Sequence, residues 1–288
     1  MFVQRISALA GGLVLLAGGL TGGSAHAAVD SSSSSGLVTV TISAAHNVVL
    51  PATIQPGVNQ FRVTTEAKSS GFQLLQLADG YTLDAAIDDI DKGLDNGSSI
   101  KALKRFEANT TLLGGVNVEM GKIGKLTVSL TPGTYYATDI ARNRPSAFTA
   151  FTVAGADTGA TMPAGPTIRA VRSASWAKNP KSIPRKGVLT FENFSSQNHF
   201  VGLVKLRPGK TVEDFGDWID AQMEGQNGPP PVDFDQSFDG NVVSPGHTAA
   251  MNYRLSRGNY ILICFWPDAS MGGVPHGFMG MYRAIKVK

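Results

Sequence analysis

Apolar residues along most of this chain recur at every second position. In "LVTVTI", Val38, Val40 and Ile42 alternate with Thr39 and Thr41, and in "KLTVSL", Leu126, Val128 and Leu130 alternate with Thr127 and Ser129. "NQFRVTT" and "FQLLQL" are runs of the same kind, and Gly and Pro punctuate the stretches between them. A period of two puts successive side chains on opposite faces of a pleated strand, so these runs predict β-strands. Two stretches change to a helical period. Leu83, Ala86, Ile87, Ile90 and Leu94 form one apolar stripe, and Val212, Phe215, Trp218 and Ile219 form another. The pattern predicts an all-β chain with two short helical insertions.

Those insertions sit in matching surroundings. "GFQLLQLADGYTLDAAIDDI" and "HFVGLVKLRPGKTVEDFGDWI" each end a strand at a Leu (Leu77, Leu206), turn at a Gly (Gly80, Gly209) and place a Thr two residues on (Thr82, Thr211). Thr211 and Asp214 have the spacing of a capping box, with Asp in place of Glu or Gln. Further along, "LTVSLTPGTYYATDI" aligns with "MNYRLSRGNYILICF", setting Gly133 on Gly258, Tyr135 on Tyr260 and Asp139 on Cys264. The chain is therefore expected to hold two tandem Greek-key β-sandwiches, residues 37–154 and 169–288. A small-residue linker over 155–168, containing "GADTGATMPAG", joins them.

The N-terminus changes the picture of where the protein works. Arg5 is the only charge before Asp30, Ile6 to Leu20 is an apolar run, and Ala25-His26-Ala27 offers a small-x-small cleavage pattern. Residues 1–27 are expected to be a signal peptide, and 28–36, with Ser31 to Ser35, a flexible spacer. No cysteine follows the apolar run, which excludes a lipid-modified N-terminus, and no later segment approaches the ~20 apolar residues of a spanning helix. A secreted, extracytoplasmic location follows. The formal charge of +3 is too weak and too scattered for a nucleic-acid partner.

An exported chain with one cysteine forms no internal disulfide, and an exposed thiol there would invite cross-linking. Cys264 is expected to be buried or metal-bound. His276 follows twelve positions later and Met281 five after that, so a thiolate, an imidazole and a thioether share one stretch. Two His and one Cys with a weak Met make a soft-metal, electron-transfer set. Taken singly, each is equally an ordinary core or loop residue.

"YILICFWPDASMGGVPHGFMGMYRAIKV" resembles the C-terminal hairpin of the cupredoxins, the plastocyanin and azurin family. "PHGFMGM" has the Pro-His-x-x-x-Gly-Met spacing at Pro275, His276, Gly280 and Met281, and "LTFENFSSQNHFVGLVKL" supplies Asn193 and His199 where the family has its earlier histidine. The resemblance implies copper held by His199, Cys264, His276 and Met281, and an unknown redox partner. It covers the second half in detail and the first half as a fold only. The chain departs from the family in the loop, where eleven residues separate Cys264 from His276. Loop closure entropy rises slowly with length, so ligation is not forbidden. Trp266-Pro267-Asp268 and Gly272-Gly273 are expected to fold the extra residues back on themselves. The alternative is a metal-free cupredoxin-like module that binds a protein, glycan or cell-surface partner through its loops.

The first half lacks such a set: Asp139 replaces the cysteine, Ser70 the histidine, and Pro145-Ser146 the Pro-His pair. His247 is a weaker ligand candidate, and the carboxylates of Asp89 to Gly97 and Asp233 to Asn241 lack calcium-loop spacing. No hydrolase, zincin or phosphate-loop motif is present, and five histidines are too few for the copper centres of a laccase-type oxidase. No enzymatic activity is expected.

Overall fold

The computed structural model describes residues 36–95, 97–141, 147–178 and 180–288. The signal segment 1–27, the spacer up to residue 35, and Pro145 and Ser146 lie outside these residues. The first half contributes strands β1 (Leu37–Ile42), β2 (Gly57–Thr65), β3 (Ser69–Leu77), β4 (Thr110–Glu119), β5 (Gly124–Leu130), β6 (Gly133–Asp139) and β7 (Phe148–Val153). The second contributes β8 (Thr167–Val171), β9 (Lys186–Phe194), β10 (Gly202–Leu206), β11 (Val232–Asp239), β12 (Thr248–Arg254), β13 (Gly258–Ile263) and β14 (Tyr282–Val287). Each half closes a β-sandwich, as the alternating pattern predicts.

The halves share a sheet. One eight-stranded sheet runs β8-β9-β12-β5-β2-β1, with two-residue strands at its outer ends. Each half adds a five-stranded sheet of its own, β7-β6-β3-β4 or β14-β13-β10-β11, again completed by a two-residue strand. The seam is the antiparallel pair β5 and β12, with Leu126 opposite Met251, Thr127 opposite Ala250 and Val128 opposite Ala249. Leu126 and Met251 are equivalent positions of the repeat, so a local two-fold axis passes through this pair. Strands of the two halves meet edge to edge there without alternating.

Repeated sequence gives repeated local structure. Between β3 and β4 lies helix α1 (Leu83–Ile90), capped by Thr82, whose hydroxyl accepts the Ala85 N–H. Between β10 and β11 lies α3 (Val212–Met223), where Thr211 and Asp214 complete a reciprocal capping box. The turns before them use Gly80 and Gly209 at φ 79° and 76°, conformations that a Cβ disfavours. A further helix, α2 (Ile100–Asn109), follows α1 and was not expected from the pattern. Ser99 caps it and Ala102, Leu103 and Phe106 bury its inner face.

The segment between the halves is tied down at Thr158, whose N–H and hydroxyl donate to Pro56 O and Val58 O. The cores are rich in aromatic residues: Phe61, Phe72 and Tyr135 in the first half, Phe191 and Tyr260 in the second. Tyr135 donates to Thr131 O at 2.9 Å and Tyr260 to Ser256 O at 3.0 Å, the same four-residue corner in both copies. Tyr260→Phe and Tyr135→Phe should each lower stability by about 1 kcal/mol, measured by urea denaturation, because each leaves a carbonyl short of its donor.

Candidate metal centre

Cys264 is the first residue beyond β13 and is fully buried. Its N–H approaches Met281 O at 3.4 Å, closing the base of the final hairpin. The eleven residues that follow do not sprawl. Pro267–Asp268 pairs with Val274–Pro275 as a miniature antiparallel ladder, and a 3-10 turn (Ala269–Met271) caps it. Gly272 and Gly273, at φ 71° and 82°, reverse the chain. Asp268 fixes the turn by accepting from Ser270 N, Ser270 Oγ and Met271 N. His276 N then donates to Trp266 O at 2.9 Å. The insertion is thus folded out of the path, and Cys264 and His276 meet as if a short loop joined them.

A second 3-10 turn, His276–Met279, ends at Gly280 with φ 91°. It returns the chain so that Met281 N donates to His276 O at 3.0 Å. Met281 is fully buried, and its backbone touches both Cys264 and His276. His199 lies three residues before β10, the strand that pairs with β13. It exchanges backbone hydrogen bonds with Val243 at 3.1 and 2.8 Å. Asn193 braces the approach to it, with Nδ2 donating to Gln197 O and Val243 O and Oδ1 accepting from Ser195.

These elements bring His199, Cys264 and His276 together, with one ligand atom from each within 4.8 Å of the others. Cys264 Sγ lies 3.7 Å from His276 Nδ1, and the two imidazole centroids are 4.5 Å apart. With metal–nitrogen bonds near 2.0 Å and metal–sulfur bonds near 2.3 Å, a nitrogen and a sulfur ligand at tetrahedral or trigonal angles sit about 3.5–3.7 Å apart, and the Cys264–His276 pair is already at that spacing. The cluster is the one such group of His, Cys, Asp and Glu among the described residues.

His276 is oriented by Gln197. Gln197 Nε2 donates to Asp268 Oδ2 at 3.0 Å, which fixes the amide and turns its Oε1 to His276 Nε2 at 2.5 Å. Nε2 therefore carries the proton and Nδ1 is left facing the sulfur, the outer-shell arrangement of a metal-binding histidine. Sequence spacing gave no sign of Gln197. His199 is different, since neither of its ring nitrogens has a hydrogen-bond partner although the residue is fully buried. The backbone of Ser173 and Arg172 lies close enough to favour its charged form slightly, yet short of hydrogen-bond geometry.

Burial governs the protonation of all three groups. It lowers His199 to about 3, with help from His276, and lowers His276 to about 4 against the pull of Asp268. It pushes the Cys264 thiol up to about 12. Burial also works against the Asp268 carboxylate, but hydrogen bonds from Ser270, Gln197 and Met271 together hold it below the usual carboxylate range. Without a metal the imidazoles are neutral and the thiol keeps its proton. Two unpartnered nitrogens, a thiol and a buried thioether form a donor set that fits copper.

The first half places different, fully partnered side chains at the equivalent positions. Asp139, at the cysteine's place, is buried and saturated: it accepts from Gly71 N, Ala141 N and His46 Nδ1 at 2.8, 3.0 and 2.7 Å. Ser70, at the histidine's place, bonds Thr65. His247 stands in a separate cleft with Pro245 and Glu107. Asp89 is buried and engaged by Arg105 and Tyr81, so that stretch is an ion pair rather than a cation loop.

No family model matches the chain, and no curated protein matches it. The solved structures it is similar to include auracyanins. Auracyanin B is 18% identical, with 44% of this chain and 93% of that chain covered and a TM-score of 0.28. Auracyanin A, a "blue" copper protein from the green thermophilic photosynthetic bacterium Chloroflexus aurantiacus, is 17% identical, with 44% and 100% covered and a TM-score of 0.29. A Cu-containing nitrite reductase from Thermus scotoductus SA-01 is 10% identical over 88% of this chain and 61% of that chain, at a TM-score of 0.23.

Proposed function

We propose that this chain binds one copper ion through His199, Cys264 and His276, with Met281 as a weaker fourth ligand, and carries single electrons. The observation that carries the reading is the buried convergence of the three ligands, with both His199 nitrogens unpartnered. A buried polar group without a partner is unfavourable, and a metal bond is one way to satisfy it. Bound copper would supply a one-electron couple. The chain's own part is to hold the ligands still: Gln197 sets the His276 tautomer, Val243 clamps the His199 backbone, and the Asp268 turn keeps the insertion clear. A rigid, dry ligand set keeps reorganisation small when the charge changes.

In this reading residues 169–288 form the metal-binding unit, 37–154 a metal-free unit and 155–168 the connection. The N-terminal segment exports the chain, electrons pass to or from another protein, and no catalytic step is assigned. No helix among the described residues is long and apolar enough to cross a membrane.

Adding Cu(II) to the purified protein should bind one equivalent and produce an intense thiolate-to-copper absorption band. Cys264→Ser should abolish the band, and Asp139→Ala should leave it intact. A protein that takes up no copper would return the chain to the metal-free binding module, and uptake without that band would remove Cys264 from the ligand set.

A further inference from the structure

Between the halves lies a cavity of about 510 Å³, walled by Phe148 of the first half and by Phe200, Phe265 and Trp266 of the second. That volume falls within the range of small-molecule sites, which are mostly apolar with a few directed polar groups. Of the polar residues that line it, among them Gln73, Asp95, Asn117 and Asn241, two supply the directed groups. Thr138, on β6, is only 3% exposed, lines the cavity, and has a hydroxyl with no hydrogen-bond partner. Asp239, at the end of β11, lines it too, with one hydroxyl donor, from Ser237, on its carboxyl. Burial pushes that carboxyl up, towards the protonated form that can itself donate. Among the described residues no Lys, Arg or His lines the space, so nothing there balances an anion.

A hydroxyl buried without a partner in the wall of an aromatic cavity gains a hydrogen bond from a ligand oxygen brought against that wall. We propose that this cavity binds a neutral, mostly apolar aromatic molecule carrying a hydrogen-bonding oxygen, anchored on Thr138 and Asp239 and packed against Phe148, Phe200, Phe265 and Trp266. The site also abuts the metal centre. Phe200 directly follows His199 in the chain, and Phe265 directly follows Cys264. The proposal does not depend on copper, and its test uses the metal-free full chain, so the two readings can fail separately.

The probes are 1-naphthol, naphthalene and 1-naphthalenesulfonate, titrated against tryptophan fluorescence and followed by calorimetry. 1-Naphthol should bind one per chain and perturb Trp266 emission. Thr138→Val, which keeps the shape and removes the hydroxyl, should weaken 1-naphthol about fivefold to tenfold and leave naphthalene unchanged. Ile140→Trp places bulk at the cavity rim, on a residue 54% exposed, and should block both. This variant keeps the test decisive should Thr138→Val fail to fold. Absence of saturable 1-naphthol binding overturns the proposal. So does binding that Ile140→Trp leaves unchanged, 1-naphthol affinity unmoved by Thr138→Val, or a preference for the sulfonate.

Discussion

His199→Leu is expected to stabilise the metal-free protein by about 1–3 kcal/mol while abolishing copper uptake. Most substitutions of a fully buried residue destabilise, so the sign is the point. His199 has both nitrogens unpartnered in the sandwich end, and a leucine of similar bulk removes that desolvation penalty. The effect should depend on pH. Burial depresses His199 to about 3 and His276 to about 4, against about 6.5 in the unfolded chain. The unfolded state therefore binds more protons below pH 6.5. Their contribution is present in full above that value and is lost as pH falls towards 4, by about 2 kcal/mol per imidazole at pH 5. His199→Leu should remove about half of this acid sensitivity. Urea denaturation at pH 7 and pH 5, without and with Cu(II), measures both effects. A destabilised His199→Leu protein at pH 7 would mean that the imidazole is satisfied by packing and is not held ready for a metal.

The strands were legible because they are written locally. Period-two runs such as Val38-Val40-Ile42 need no knowledge of the rest of the chain, and the repeat was visible in the spacing of Gly133-Tyr135 and Gly258-Tyr260. The loop between Cys264 and His276 was the hard part. Its glycine turn was readable, but what holds the folded insertion in place comes from distant sequence. Trp266 Nε1 donates to Glu107 Oε1 at 2.6 Å, and Gly273 lies against Ile100, both partners belonging to α2 of the first half. Gln197 was invisible for the same reason, because its role exists only where Asp268 and His276 meet. Helix α2 was a missed signal. Ser99 followed by Ala102, Leu103 and Phe106 has a cap and an apolar face, but the preceding Gly97-Ser98 reads as loop. The shared sheet left no such trace, because the pairing of Leu126 with Met251 joins positions 125 residues apart.

Leu126→Asp should cost more than about 4 kcal/mol and unfold both halves together. Leu126 and Met251 face each other across the seam at the local two-fold axis, both fully buried. The cations of the two strands, Lys125 and Arg254, are exposed and stand on the opposite face from Leu126 and Met251. A carboxylate there is buried unpaired, among the most expensive single changes available. The damage should not stay in the first half. The segment Gly240 to Ser244 is stitched to β4 by Gly114 N to Val242 O, Ser244 N to Leu112 O and Leu112 N to Ser244 Oγ. The same segment clamps His199 through Val243. Loss of the first half thus removes the support of a copper ligand, and the thiolate band should vanish with the β-sheet signal in one transition. In the wild type, circular dichroism and the copper band should likewise melt at the same urea concentration. Val49→Asp, 58% exposed at the outer end of the same sheet, should change stability by less than about 0.5 kcal/mol. If Leu126→Asp melted the first half and left the copper band intact, the halves would be independent folding units, and the seam would be contact without coupling.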